Sequence, residues 1–217
     1  MQRHFSLTAW RLAAAGLLAS GFLLTAGAQP TLNGCRIAPG TICAEARLSG
    51  AHLRDADLAR SNLAMARLDR ADLRGANLRN ANLRRAKLDG ARLEGSMLSN
   101  ADLHGADLSR ASLRGAHLAN ADLQDADLRD ADMRDAILRG ARLQGANLEG
   151  ARLGGTDLRR ANLAAAELRG VQLQTVDLRG ANLENADLRD ADVSSARFDA
   201  TTVWRNARMH GCSGCPQ

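Results

Sequence analysis

Residues 74–95 read RGANLRNANLRRAKLDGARLEG, with a leucine at every fifth position: Leu78, Leu83, Leu88 and Leu93. On an α-helix, a step of five residues rotates each leucine by about 140°, so the leucines would not form a stripe. On a flat strand, an odd step places successive leucines on opposite faces. The period of five therefore excludes both a simple amphipathic helix and a simple extended strand.

The same period continues without interruption over 32 five-residue units, from residue 46 to residue 203. Leucine occupies the central position in 28 units, and alanine stands two residues before it in 26 units. The last position of the unit is glycine in 12 units and asparagine in several others. Because Gly and Asn tolerate the positive φ of tight turns, we expect a corner in every unit. The chain is therefore predicted to coil around its own leucines.

Units such as ADLRG at 71–75 and ANLEN at 181–185 resemble the pentapeptide-repeat proteins, and the resemblance covers residues 46–205. It implies an all-β fold, a right-handed quadrilateral parallel β-helix in which four units form one 20-residue coil. The repeats would then make about eight coils, and the rod would be on the order of 38 Å long. Each leucine would stack on the leucines 20 residues away.

The N-terminus has the three parts of a secretory signal: arginines, an apolar run at 12–27, and small residues before a cut after Ala28. Residues 1–28 are therefore predicted to be a cleaved signal peptide, which places the protein in the periplasm or outside the cell. The apolar run is shorter than the roughly 20 residues of a membrane span. An uncleaved N-terminal anchor and lipidation at Cys35 remain alternatives. Without the two arginines of the signal, the formal charge falls from +5 to +3.

Four cysteines flank the repeats, two on each side. An oxidising compartment favours disulfides, and bridged cysteines have Cα atoms within about 7 Å. Across a rod of the implied length, the two pairs could not exchange partners. We therefore predict the bridges Cys35–Cys43 and Cys212–Cys215, each stabilising one end of the rod.

The predicted domain organisation after the signal peptide is an N-terminal cap with one cysteine pair at 29–45, the solenoid at 46–205, and a C-terminal tail with the other cysteine pair at 206–217.

The CSGC sequence within the tail has the spacing of a thioredoxin-type redox site, but only two residues follow it, so no helix could lower a thiol pKa. His210 and the two tail cysteines would supply only part of a zinc site. We predict no cofactor and no metal.

The residues beside each leucine point outward and alternate in charge, which predicts local ion pairs such as Asp72–Arg74 and Asp157–Arg159. The histidines are scattered, and no nucleophile accompanies them, so we predict that the protein is not an enzyme. One side carries a column of arginines that is a candidate contact for an anion or a partner. A solvated surface, neutralised by Asp157 and Asp177, is the alternative for this column. Its members are Arg139, Arg159 and Arg179, with Arg160 nearby.

Larger apolar residues cluster at the C-terminal end, where they form either a plug over the last coil or a contact between two copies of the chain. They are Phe198, Val203, Trp204 and Met209. Met97 and Ile137 replace the usual polar residue on the side that carries the arginine column.

These features predict an exported, non-enzymatic solenoid that acts as a structural or protein-interaction module, with a partner that the sequence does not identify. An envelope polyanion bound by the arginine columns is an alternative. The resemblance also includes proteins of the quinolone-resistance type, which imitate DNA and bind DNA gyrase. That role depends on a strongly acidic rod, whereas this surface mixes both signs of charge. Nucleic acid is therefore not a favoured partner.

Overall fold

The computed structural model describes residues 31–216, and the predicted signal peptide lies outside them. From Ile42 to Arg197, nearly every unit forms an isolated parallel bridge with the unit 20 residues later, as in His52↔Asp72 and Asp72↔Arg92. Four consecutive units therefore contribute to four separate ladders. Residues 41–201 make eight coils, seven of 20 residues and a last one of 21. The predicted 20-residue coil is confirmed.

Every unit turns at the same point. The carbonyl of the inward leucine accepts a hydrogen bond from the amide three residues later, as from Ala76 to Leu73 at 3.0 Å. The second residue after the leucine has a positive φ, 66° at Gly75 and 57° at Asn80. This geometry is a type II turn, which favours Gly or Asn at that position. The predicted corners are confirmed.

The core consists of stacked leucines with the alanines beside them. Leu73 is fully buried, and the ladders place it in register with Leu53 and Leu93. Each buried leucine contributes roughly 2 kcal/mol relative to an exposed one. Since alanine occupies the other inward position, the coils approach closely enough for ladder hydrogen bonds of 2.6–3.1 Å in most units.

A short antiparallel hairpin lies at the N-terminal end. Strand β1 (Thr31–Leu32) pairs with β2 (Cys35–Arg36) through an Asn33–Gly34 turn in which both residues have positive φ. Asn-Gly is the preferred pair for such a two-residue turn. The Asn33 side chain donates a 2.6 Å hydrogen bond to the carbonyl of Arg47 in the first coil. The hairpin thus satisfies part of the first ladder edge.

The C-terminal coil departs from the predicted register. The bridge Asp177↔Arg197 keeps the spacing of 20, but Asn182↔Val203 and all later bridges have a spacing of 21. The unit that begins at Ala196 therefore has six residues. Thr202 takes the inward alanine position and Val203 points outward, 41 % exposed. The period of five, continued to residue 203, predicts Val203 at a central inward position, and that prediction is wrong. The ladder also continues beyond residue 205, to Ser213.

One interruption occurs in the middle of the ladders. Among the described residues, no bridge joins Arg152 to Gln172, and the amides of Leu153 and Gln172 make no backbone hydrogen bond. Val171 and Val176 replace alanine at the alanine positions of two consecutive units here, and both are fully buried. Larger side chains inside a close-packed core displace the backbone. We call this interruption the ladder gap.

Within residues 31–216, no helix is both long enough and apolar enough to cross a membrane.

Candidate functional site: an arginine groove

The four arginines predicted from the sequence line one shallow groove on the surface of the rod. Arg139, Arg159 and Arg179 each follow an inward leucine and stack on three successive coils, while Arg160 lies at the adjacent corner with φ of 58°. The groove has a volume of about 460 Å³. Gly180, Asp199 and Thr201 complete its lining.

Two aspartates connect the stacked arginines into an alternating chain of charges. Asp157 accepts from Nε and Nη2 of Arg159 at 2.8 and 2.7 Å, and from Nη2 of Arg139 at 3.0 Å. Asp177 accepts from Nε and Nη2 of Arg179 at 2.9 and 2.6 Å. Nε of Arg159 also lies 3.6 Å from Asp177. The predicted neutralisation of the column by these two aspartates therefore occurs in the structure.

These contacts also change the acidity of the aspartates. The hydrogen bonds from Arg159 hold the pKa of Asp157 far below its usual range, although partial burial opposes the shift. The hydrogen bonds from Arg179 lower the pKa of Asp177 in the same way. Both carboxylates therefore stay ionised at any physiological pH and fix the orientation of the guanidinium planes.

The ion pairs leave several donors free to bind a ligand. Nη1 of Arg159 and of Arg179 has no acceptor among residues 31–216. Arg160 is exposed, and no carboxylate of the described chain lies within 4.0 Å of it. Four arginines against three aspartates give the groove a formal net charge of +1. The arrangement fits one or two carboxylate or phosphate groups better than a highly charged polymer.

The end of the groove depends on the six-residue unit. Asp199 Oδ1 accepts from the amide and the hydroxyl of Thr201, at 2.9 and 2.5 Å. Thr202 Oγ1 donates to the carbonyl of Leu178 at 3.0 Å and anchors the unit. A strict period of five already places Asp199 one coil after Arg179 in the arginine column, but it gives Thr201 an inward alanine position, so the sequence does not predict Thr201 in the groove. The two consecutive threonines, in place of alanine and a polar residue, are the signal of this insertion.

The apolar C-terminal residues lie at the open end of the last coil. Phe198 is 37 % exposed, and its ring centroid lies 5.3 Å from that of Trp204 in a T-shaped arrangement. Trp204 and Met209 take the central inward positions after the insertion, and both are half-buried. Their backbone amides have no acceptor among the described residues. Of the four predicted residues, Val203 alone has moved to the outer face.

Both cysteine pairs form disulfides in the structure, with Cα–Cα distances of 5.4 Å for Cys35–Cys43 and 5.8 Å for Cys212–Cys215. Cys43 occupies an inward position in the first coil, and Cys212 takes the alanine position in the last. Each bridge therefore closes an end of the rod. Within residues 31–216, no group of three or more His, Cys, Asp or Glu side chains is arranged to hold a metal ion.

Comparisons with known proteins agree with this architecture. The family model described as pentapeptide repeats matches in eight copies, over residues 43–75, 76–115, 106–145, 141–180 and 166–205. No curated protein sequence matches the chain.

Several solved structures are similar. QnrB1, a plasmid-mediated fluoroquinolone resistance protein, is 23 % identical, with a TM-score of 0.51 over 68 % of this chain and 86 % of its own. HetL, a pentapeptide-repeat protein of the cyanobacterium Nostoc involved in heterocyst differentiation regulation, is 34 % identical. That match covers 81 % of this chain and 86 % of HetL, with a TM-score of 0.29. The likeness to QnrB1 implies the right-handed quadrilateral β-helix. With repeats matched from residue 43 to residue 205, the chain is a member of the pentapeptide-repeat family.

Proposed function

We propose that this protein is an exported, non-enzymatic solenoid that binds another protein through its outer faces. The observation that carries the proposal is the arginine groove, in which ion pairs fix the guanidinium groups and leave donors open to solvent. A rod whose backbone is held by ladders presents such donors at little additional entropic cost, which favours binding. The open, polar character of the groove favours recognition rather than catalysis.

Export is part of the same proposal. Its support is the signal pattern of residues 1–28 together with the two cysteine pairs at the ends of the rod. Disulfides persist in oxidising compartments and are rare in the cytosol. The uncleaved anchor is the alternative to release after Ala28.

A site-specific cross-linking experiment in cells tests the function. A photoreactive amino acid replaces Arg160 in the groove or, as a control, the exposed Arg114 on another face. We expect a discrete protein adduct from position 160, in the extracytoplasmic fraction, and a weaker adduct or none from position 114. Adducts absent from both positions, or found in the cytosolic fraction, would contradict the proposal.

Binding of an envelope polyanion is a second candidate, favoured by the unpartnered position of Arg160. It predicts salt-sensitive binding that is lost when Arg139, Arg159 and Arg179 are changed to Gln, because these side chains supply the charge. Because the groove carries a formal charge of only +1, we rank this candidate second. Retention of binding by the triple variant would eliminate it.

We also propose that the C-terminal end forms a homodimer. The free amides of Trp204 and Met209 leave a ladder edge open, and exposed edges pair readily with a second chain. The half-buried Trp204 and the exposed Phe198 add apolar surface. Sedimentation velocity tests this: Trp204→Lys should shift the protein from dimer to monomer, and a monomeric parent protein would refute the dimer.

A DNA-mimic role against DNA gyrase is the least favoured alternative. A DNA mimic requires a strongly acidic surface, whereas the arginines of this rod pair with its aspartates along several faces. The likeness to QnrB1 concerns the fold. Inhibition of gyrase supercoiling by the purified rod would reverse this ranking.

A further inference from the structure

An uncharged strip lies on the same face as the arginine groove. Parallel bridges stack Met97 on His117 and His117 on Ile137, and the next residue of this ladder is Asp157. Ser99 and Ala119 lie two residues farther along the same units. We call these five residues the neutral patch. His117 is exposed, and the other four are half-buried.

The neutral patch differs from most of this surface by its apolar side chains, because Met97 and Ile137 occupy ladder positions that are polar in most coils. The ladders through Lys87 and Asp72 carry Asp, Arg, Lys or Glu in most coils, and the ladder through Asn82 carries mainly Asn and Asp. Ile137 and Arg139 belong to one unit, so the patch borders the groove directly. A single face therefore carries the neutral patch, with Met97 and Ile137 as its large apolar side chains, followed by a cationic half.

The dimensions of this surface fit an extended peptide. Four ladder steps of about 4.8 Å separate the coil of Met97 from that of Arg179, a distance on the order of 19 Å. An extended chain rises about 3.3 Å per residue, so roughly six residues would cover that distance. Both the patch and the groove are open along this line.

The chemistry of the face distinguishes among ligand classes. No Phe, Tyr or Trp lies in the neutral patch, so a sugar ring would lack the large aromatic surface on which it could stack. The groove has a formal charge of +1, which is weak for a nucleic acid. Acidic side chains on a peptide, in contrast, would accept single hydrogen bonds from the free Nη1 atoms of Arg159 and Arg179. Arg160, which is exposed and has no carboxylate nearby among the described residues, could bind a carboxylate through two hydrogen bonds.

We propose that the neutral patch and the arginine groove together bind an extended protein segment, whose apolar residues contact Met97 and Ile137 and whose acidic residues contact Arg139 and Arg160. The inference rests on the proposed interaction function and identifies the kind of partner. Apolar contacts supply affinity, and the arginines fix the direction and register of the segment.

Selection from a library of displayed random 12-residue peptides, on the folded mature rod, tests this directly. We expect enriched peptides that combine apolar residues with at least two acidic ones. A synthetic copy of such a peptide should bind Ile137→Ser and Arg160→Gln at least about tenfold more weakly, as for central interface residues. Matched controls are Met65→Ser, an exposed apolar side chain elsewhere, and Arg114→Gln, and neither should change the affinity.

Circular dichroism of each variant establishes that it is folded before binding is measured. Failure to enrich any peptide, equal binding by all variants, or enrichment of peptides without acidic residues would overturn the inference. Heparin or lipopolysaccharide binding that is lost in Arg160→Gln, without peptide binding, would also overturn it, in favour of a polyanion. If peptide binding fails while cross-linking in cells yields a protein adduct from position 114, the interaction function stands and the assigned face is wrong.

Discussion

At the scale of the residue, each place in the five-residue unit has its own physical requirement. The inward positions accept Leu and Ala because the coils are stacked closely, as the fully buried Leu73 and Ala71 illustrate. The corner requires positive φ, which Gly and Asn adopt at little strain. Arg85 and Asp125 also occupy corners, with φ of 52° and 55°. The outward positions have neither requirement, so their side chains can vary and can bind a partner.

The corner requirement gives a first prediction. Gly95 has φ of 64°, and a Cβ at this position would meet no heavy atom within 4 Å. Gly95→Val should lower the free energy of unfolding by about 1–2 kcal/mol through backbone strain alone. Gly95→Asn, the matched control, should change it by less than about half of that, because Asn tolerates this region. Urea denaturation of the parent protein and the two variants measures these changes in the free energy of unfolding. Equal losses in both variants would indicate that backbone strain is not the cause.

A second prediction concerns the ion pairs. Hydrogen bonds from Arg189 lower the pKa of the buried Asp187 to about 2, and Arg208 adds a contact at 3.0 Å. Because the pKa of an unfolded aspartate is about 3.9, this stabilisation is complete above that pH and is lost as the pH falls towards 2. Asp187→Asn should be less stable than the parent at pH 7, and the difference should narrow below pH 3.

Urea denaturation of both proteins at pH 7, 4, 3 and 2 measures this difference. Asp55→Asn serves as the control, because the Asp55 side chain is 74 % exposed and lies 3.6 Å from its nearest arginine nitrogen. If the free energies of unfolding of the parent and of Asp187→Asn fall in parallel across the whole pH range, ionised Asp187 is not the source of this stabilisation.

At the scale of the element, the coil is the unit of stability, since each coil touches only its neighbours. The Asp187–Arg208 contact joins the eighth coil to the partial coil that follows it. The ladder gap is the one place in the middle of the described rod where this stacking weakens, and its cause is the volume of Val171 and Val176. We therefore expect stability to vary along the rod more than the regular repeat of the sequence suggests.

Replacing both valines by alanine should close the ladder gap. The amides of Leu153 and Gln172 would then bond to the neighbouring coils as their counterparts do in other units. Hydrogen exchange at these two amides should slow by at least about tenfold, equivalent to about 1.4 kcal/mol of added protection. A control variant, Val193→Ala, changes a central position outside the gap and should leave both amides unaffected. Unchanged exchange in the double variant would show that the valines do not cause the gap.

At the scale of the whole molecule, most of the rod follows from the sequence because its pattern is local and strictly repeated. The leucine stack, the corners and the four arginines of the groove could all be predicted from position alone. The six-residue unit could not, because Thr201 and Val203 fit the small and central positions of a strict period as well as Thr202 and Trp204 fit those of the shifted register. The ladder gap depends on side-chain volume rather than on pattern. Thr201 reaches the groove only through the shifted register.

The repeated coil is also the basis of the functional proposals, since it determines which residues face outward together. Within residues 41–195, the amide of the residue that follows each central inward side chain, usually leucine, has no backbone acceptor, whereas nearly all other amides do. Hydrogen exchange resolved by residue therefore tests the account most directly. We predict minimal protection at every fifth amide, in phase with the leucines, with Arg114 and Ala119 among the fastest. Protection without a period of five, or with minima at the leucines themselves, would contradict the fold and the surfaces derived from it.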